Sequence, residues 1–167
     1  KLVADFFITK GYRKFICITG PADVPNANLR LDGFRTALLD YGIHPEHIQE
    51  YRTEFNFDDC YGMMSGLLQD YRPEDKKGVF VCSDIGAWGA IEAVKSRGLK
   101  IPRDIGIAGF DNIYFSRFIY PGLTTVQNPT KEMGKAAAQV ILTQLNGEEG
   151  LMNSEKAMVF DVELIER

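Results

Sequence analysis

The chain has 167 residues, of which 45% are hydrophobic and 25% charged, a composition ordinary for one globular domain with a buried core. Its net charge is −4 and its pI is near 5.2. Binding to a phosphate backbone requires a basic surface, so we expect any DNA contact to lie outside these residues. No apolar run approaches the roughly 18 residues of a membrane-spanning helix, and we expect no membrane partner.

The first half of the chain alternates between helical and strand-like patterns. A helix ends near Lys10, and because the sequence opens inside it we expect the chain to be a piece of a longer protein. Two strands are then predicted, at Phe15–Ile18 and His47–Tyr51. Each is followed by an amphipathic helix: one with Phe34, Ala37, Leu38 and Tyr41 on its inner face, capped by Asn26 or Asn28 and ended by Gly42, and one with Tyr61, Met64, Leu68 and Tyr71, capped by Asp58.

The second half continues the alternation. A strand at Gly78–Cys82 leads into a helix that Ser83 or Asp84 caps and Gly98 ends, with Ala87, Ala90, Ile91 and Val94 on its inner face. Further extended segments are predicted at Ile105–Phe110, Leu123–Val126 and Met158–Ile165. A last helix begins at Asn128-Pro129 and ends at Gly147, and Glu148–Gly150 is predicted to be a surface loop.

Strands that alternate with helices of about four turns indicate the α/β class. We therefore expect a three-layer α/β/α domain with a mainly parallel, open sheet. Ligands of such sheets bind at the carboxyl ends of the strands. Phe55, Ser83, Asp84 and Asp111 follow three predicted strands, and Arg30 opens a helix beside the same edge. Carboxylates accept hydrogen bonds from hydroxyls, guanidinium donates them and an aromatic ring covers a sugar face, so the set suits a polyhydroxylated ligand.

Each of these residues also has a structural interpretation. Asp84 is equally compatible with a helix cap, Arg30 with a solvated surface charge, and Phe55 with the core, whereas Asp111 either caps a turn or faces a ligand.

Other chemistries lack their motifs. The chain has no phosphate-binding G-x-x-x-x-G-K loop, no G-x-G-x-x-G after the first strand, and no G-x-S-x-G nucleophile elbow. Cys17, Cys60 and Cys82 stand in unrelated contexts, so we expect reduced thiols and neither a metal site nor a disulfide. We therefore predict neither enzymatic activity nor a cofactor.

Four segments of the chain resemble the effector-binding domain of lactose/galactose-repressor (LacI/GalR) transcription regulators. They are GYRKFICITGP at 11–21, RLDGFRTAL at 30–38, VFVCSDIGAWGAIEAVKSRGLKIPRDIGIAGFDN at 79–112 and PGLTTVQNPTKEMGKAA at 121–137, and the closing FDVELIER fits the family's last strand. The resemblance implies a periplasmic-binding-protein-like fold (type I) of two subdomains with the effector between them. It assigns 1–127 to the second subdomain, 128–150 to a crossover helix of the missing first subdomain, and 151–167 to the returning strand.

The same resemblance implies site roles and partners. Arg30 matches an arginine that holds the effector, Asp111 an aspartate of the site, and Phe55 an aromatic residue against the ligand. Ser83-Asp84 matches an Asn-Asp pair, with Ser83 replacing the Asn. We expect a cytoplasmic homodimer that binds a small effector, a sugar or related molecule, and contacts operator DNA only through a head domain outside this chain. The alternatives are a sugar-binding protein of a transport system and an α/β enzyme.

Overall fold

A computed structural model describes residues 1–146 and 158–167 of the chain. Its helices and strands alternate as the apolar pattern predicts, and the main ones are α1 (Leu2–Thr9), β1 (Lys14–Thr19), α2 (Pro25–Asp40), β2 (Ile48–Arg52), α3 (Phe57–Leu67), β3 (Lys77–Val81), α4 (Asp84–Ser96), β4 (Gly106–Asp111), β5 (Thr124–Gln127), α5 (Thr130–Leu145) and β6 (Glu163–Ile165). A short 3-10 helix, Tyr114–Arg117, lies between β4 and β5.

The strands form one six-stranded sheet in the order β2-β1-β3-β4-β5-β6, and the pairs β1–β2, β1–β3, β3–β4 and β4–β5 are parallel. The predicted α/β class with a mainly parallel sheet is therefore confirmed. The chain adds β2 on one side of β1 and then adds β3 on the other side, so the direction in which successive strands are added to the sheet (the winding) reverses between β1 and β3. In open parallel sheets the crevice at such a reversal is where ligands bind.

Alternating side chains of the central strands pack into two separate cores. On β1, Ile16 and Ile18 face one core, whereas Phe15 and Cys17 face the other. The first core is completed by α3 and α4, through residues such as Met64, and the second by α1 and α2. Helices cover both faces of the central strands β1, β3 and β4, so most of their positions are buried and their sequences are almost continuously apolar, whereas the edge strand β2 keeps exposed positions.

The glycines that end the helices adopt the expected left-handed conformation, with φ of +82° at Gly11, +75° at Gly42 and +75° at Gly98. The predicted end of the last helix at Gly147 and the loop Glu148–Gly150 lie outside the described residues.

Several predicted caps are wrong. Val24 is the N-cap of α2 and makes no side-chain bond there, because the preceding Pro21-to-Val24 turn starts the helix earlier than expected and leaves Asn26 and Asn28 inside it. Asn56 rather than Asp58 caps α3, accepting a hydrogen bond from the amide of Asp59.

Three other boundaries differ. The N-cap position of α5 is Pro129, not Asn128, and has no side-chain bond. Tyr41, predicted on the inner face of α2, is 51% exposed because the helix ends at Asp40 and the ring turns outward to Asp5. The final strand is confined to Glu163–Ile165, and the preceding residues from Met158 have no regular secondary structure.

The chain divides into two compact units. Unit 1 comprises Lys1–Gln127 together with Leu164–Arg167, and unit 2 comprises Asn128–Glu163. Within the described part of unit 2, α5 has no buried residue; the exposed fractions of Met133, Ile141, Leu142 and Leu145 range from 43% to 78%. None of the described helices is long and apolar enough to cross a membrane.

Candidate functional site

The candidate site lies in unit 1, at the carboxyl edge of the sheet where the winding reverses. Parallel strands end there together, so residues that follow β1, β3 and β4 meet the start of α2 at one rim. His44 and His47 precede β2 and therefore lie at the opposite edge. The described residues contain no group of three or more His, Cys, Asp or Glu side chains that could hold a metal ion.

Arg30 occupies the centre of this rim. Its guanidinium carbon lies 3.9 Å from the ring centroid of Phe110, which gives the cation an aromatic platform. One terminal nitrogen donates to the carbonyl of Cys82, at 2.6 Å, and the other donates to Oδ1 of Asp111, at 3.4 Å. The side chains of Arg30 and Asp111 are 20% and 31% exposed, so both are partly open to solvent. The structure thus brings together Arg30 and Asp111, two of the five residues for which the sequence predicts ligand contact.

A strained turn presents the polar groups beside Arg30. Asp111 and Asn112 have φ of +115° and +50°, a region that side chains with a Cβ disfavour. Asn112 donates to Oε1 of Gln127, at 2.8 Å, and accepts from Arg167, also at 2.8 Å. The sequence predictions assigned no role to Phe110, Asn112 or Gln127. Their positions directly before and after strand ends were the available signal.

Phe55 covers another part of the rim, with φ of +59° and a half-buried side chain. Its ring packs on the backbone of Gly20, where an added Cβ would lie 1.9 Å from ring atom Cε2. Only glycine leaves space for the ring at that position. Phe55 therefore contributes both to the core and to the rim, which keeps open both interpretations of this residue.

The side chains of Ser83 and Asp84 form hydrogen bonds with other groups of the protein. Ser83 accepts from the amide of Gly86, at 3.1 Å, which makes it the cap of α4, and it donates to the carbonyl of Phe55, at 3.2 Å. Asp84 is fully buried and its carboxylate accepts hydrogen bonds from the amide of Ile113 and from two hydroxyls. Burial raises the pKa of Asp84 above its usual value, and those hydrogen bonds oppose the rise. Neither side chain points freely into the rim.

The rim therefore combines a guanidinium, a carboxylate, carboxamides and aromatic surface. These groups include both donors and acceptors, which suits hydroxyl groups because each of them both donates and accepts. Cys17, Cys60 and Cys82 are free thiols, all buried in unit 1.

Comparison with known proteins places these features in a family. A model described as the periplasmic binding protein-like domain matches residues 4–167. The HTH-type transcriptional repressor CytR of Escherichia coli is 36% identical over 146 residues, covering 86% of this chain and 42% of CytR. The Ribose operon repressor of the same organism is 33% identical over 144 residues, covering 86% of the chain and 43% of the repressor. The chain thus spans less than half the length of these relatives.

Solved structures agree in fold. A regulatory protein of the LacI family from Chloroflexus aggregans superposes with a TM-score of 0.86 at 27% identity, over 99% of this chain and 59% of that one. The transcriptional regulator CelR, solved as a complex with cellobiose, has a TM-score of 0.86 at 27% identity, over 99% and 49% of the two chains.

Proposed function

Because the chain belongs to the periplasmic binding protein-like domain family, we propose that it is most of the second subdomain of an effector-binding domain in a LacI-type transcription regulator. The effector is a sugar or a related small polyhydroxylated molecule. The observation that carries this proposal is the rim formed by Arg30, Phe110 and Asp111 at the reversal of the winding. The repressor names of the curated relatives support regulation and do not favour a transport protein or an enzyme.

Arg30 and Asp111 are the direct ligands in this proposal. The guanidinium is held by the Cys82 carbonyl and the Phe110 ring, so it stays oriented when Asp111 exchanges its long 3.4 Å contact for a hydroxyl of the effector. Phe55 supplies an apolar face. Ser83 and Asp84 then support the site from behind, because their polar atoms already have protein partners.

Regulation follows from linkage. An effector that binds between this subdomain and the first one favours the closed arrangement of the two subdomains over the open one. The change in DNA affinity is at most as large as the difference in effector affinity between the closed and open arrangements. DNA is contacted through a head domain outside these residues, and the protein acts in the cytoplasm, where thiols stay reduced. The exposed apolar side chains of α5, Met133, Ile141, Leu142 and Leu145, pack on the first subdomain of the full-length protein.

A homodimer is the second part of the proposal, and an aromatic patch supports it. The patch consists of Tyr114, Phe115, Phe118 and Tyr120, each more than 60% exposed, with Arg117 stacked 5.3 Å from the Tyr114 ring centroid. Aromatic side chains bury about 150–250 Å² each, so the patch offers roughly 400–650 Å². A standard interface buries about 800 Å² on each partner. We infer that a second copy of the protein covers the patch.

Thermal melting of the full-length protein against D-ribose, D-galactose, D-glucose and cellobiose tests the function. A sugar at a hundred times its Kd stabilises the protein by about 2.7 kcal/mol, which a melt detects readily. The expected result is a shift with at least one sugar that disappears in Arg30→Ala. A shift that persists in Arg30→Ala and Asp111→Ala, or no shift with any sugar, contradicts the proposed site.

A further inference from the structure

Asp84 joins three separate segments through one buried carboxylate. Its oxygens accept hydrogen bonds from the amide of Ile113, at 2.9 Å, from the hydroxyl of Ser116 in the 3-10 helix, and from the hydroxyl of Thr125 on β5. The residue is 0% exposed. Gly109 on β4 makes room for it, since a Cβ there would lie 2.3 Å from Oδ1 of Asp84.

The segment that Asp84 holds is the strained turn of the site. Asp111 and Asn112 both have positive φ, a conformation that residues with a Cβ disfavour and that persists only where the surroundings impose it. The bonds from Ile113 and Ser116 to Asp84 fix the chain directly after the turn. Thr125 connects the Asp84 carboxylate with the turn itself. Its hydroxyl donates to Asp84 and accepts from the amide of Asn112, at 3.4 Å.

Capping of α4 does not account for this arrangement. Ser83 is the residue that accepts from a first-turn amide of the helix, that of Gly86. The three hydrogen bonds that Asp84 accepts come from the segment after β4 and from β5. Asp84 begins α4 and its carboxylate points out of that helix to the loop that carries Asp111.

We propose that Asp84 is a positioning residue, which holds the Asp111–Asn112 turn in its left-handed conformation so that Asp111 lies beside Arg30. Asp84 itself touches no effector. The effect of Asp84 on effector affinity rests on the proposed function, whereas the effect of Asp84 on the conformation of the turn does not.

The test compares four forms of the full-length protein: wild type, Asp84→Asn, Thr125→Val and Thr125→Ser. Asn keeps the size of Asp84 and loses acceptor capacity. Val removes the Thr125 hydroxyl with little change of shape, and Ser retains it as the matched control. Amide hydrogen exchange over residues 111–116 is the first readout. We expect roughly ten- to a hundredfold faster exchange in Asp84→Asn and Thr125→Val, the range for losing one hydrogen bond to a charged group. Exchange in α2 stays unchanged, and Thr125→Ser resembles wild type.

Calorimetric titration with D-ribose and with cellobiose is the second readout. For whichever sugar binds wild type, Kd rises by about tenfold or more in Asp84→Asn and Thr125→Val and is restored in Thr125→Ser. Unchanged exchange at 111–116 in Asp84→Asn overturns the positioning role, as does exchange that rises equally throughout the protein. If exchange changes as expected and neither sugar binds wild type, Asp84 still positions the turn and the choice of these sugars as effectors is refuted.

Discussion

The close contact between Gly109 and Asp84 makes Gly109→Ala a sharp test of the structure. The new methyl group would lie 2.3 Å from Oδ1 of Asp84 and 3.1 Å from Cδ2 of Leu123, so the carboxylate has to move by about 1 Å. Overpacking of this kind costs about 1–3 kcal/mol. The displaced carboxylate also loses a hydrogen bond, worth about 1.5–3 kcal/mol for a charged group. We therefore expect the free energy of unfolding to fall by about 2.5–6 kcal/mol.

Urea titration of the full-length protein, followed by circular dichroism, measures this loss. Gly33→Ala is the matched control, because Gly33 lies in the helix α2 and a Cβ there meets nothing within 4 Å. Replacing a helical glycine in open space raises stability by about 0.5–1 kcal/mol. The two Gly→Ala changes thus have opposite predicted signs. Equal stability of Gly109→Ala and wild type would show that Asp84 does not occupy the position described.

Four further predictions concern other residues of unit 1 and the chain as a whole. Replacing Arg30 or Asp111 with Ala should weaken binding of the panel sugar by about 1.5–3 kcal/mol in calorimetry, and unchanged affinity for both variants would remove them from the site. Phe118→Glu should shift the full-length protein from dimer to monomer in light scattering, and an intact dimer would refute the role of the aromatic patch. The hydrogen bond from Arg103 lowers the pKa of Asp104 to about 2, below its unfolded value near 3.9. Stability from Asp104 is therefore present above pH 4 and lost toward pH 2, and urea titrations of Asp104→Asn should lack that component. The 167-residue chain, with a net charge of −4, should give no sequence-specific anisotropy change with operator DNA.

Strand positions were predictable because burial on both faces leaves a continuous apolar run. Phe15–Ile18 and Gly78–Cys82 each fall within one or two residues of the strands in the structure. Helix caps were less predictable, since several residues near a helix start are able to cap it and the turn before the helix decides among them. Asn56 caps α3 and Asp58 does not, although the two side chains have similar chemistry.

The sequence predicted which residues lie at the candidate site, but it did not predict what each side chain contacts there. Asp111 follows from the order of the strands, because the residues that end parallel strands meet at one edge of the sheet, and Arg30 follows from the helix that begins beside the same edge. The burial of Asp84 depends on Ser116 and Thr125, which are 32 and 41 residues away in sequence and come close only when β4 and β5 pair. A residue's local sequence contains no signal for such partners.

Position 83 shows how a small change redistributes these roles. The resemblance places Asn there in the family, whereas Ser83 in this chain uses its hydroxyl twice, accepting from Gly86 and donating to the carbonyl of Phe55. Ser83 is 8% exposed, so it has little surface with which to reach a ligand. Its second bond instead fixes the backbone of Phe55, whose positive φ needs such support. Ser83 thus supports the backbone that carries the Phe55 ring, and under the proposed function we expect an effector with an apolar surface at that point.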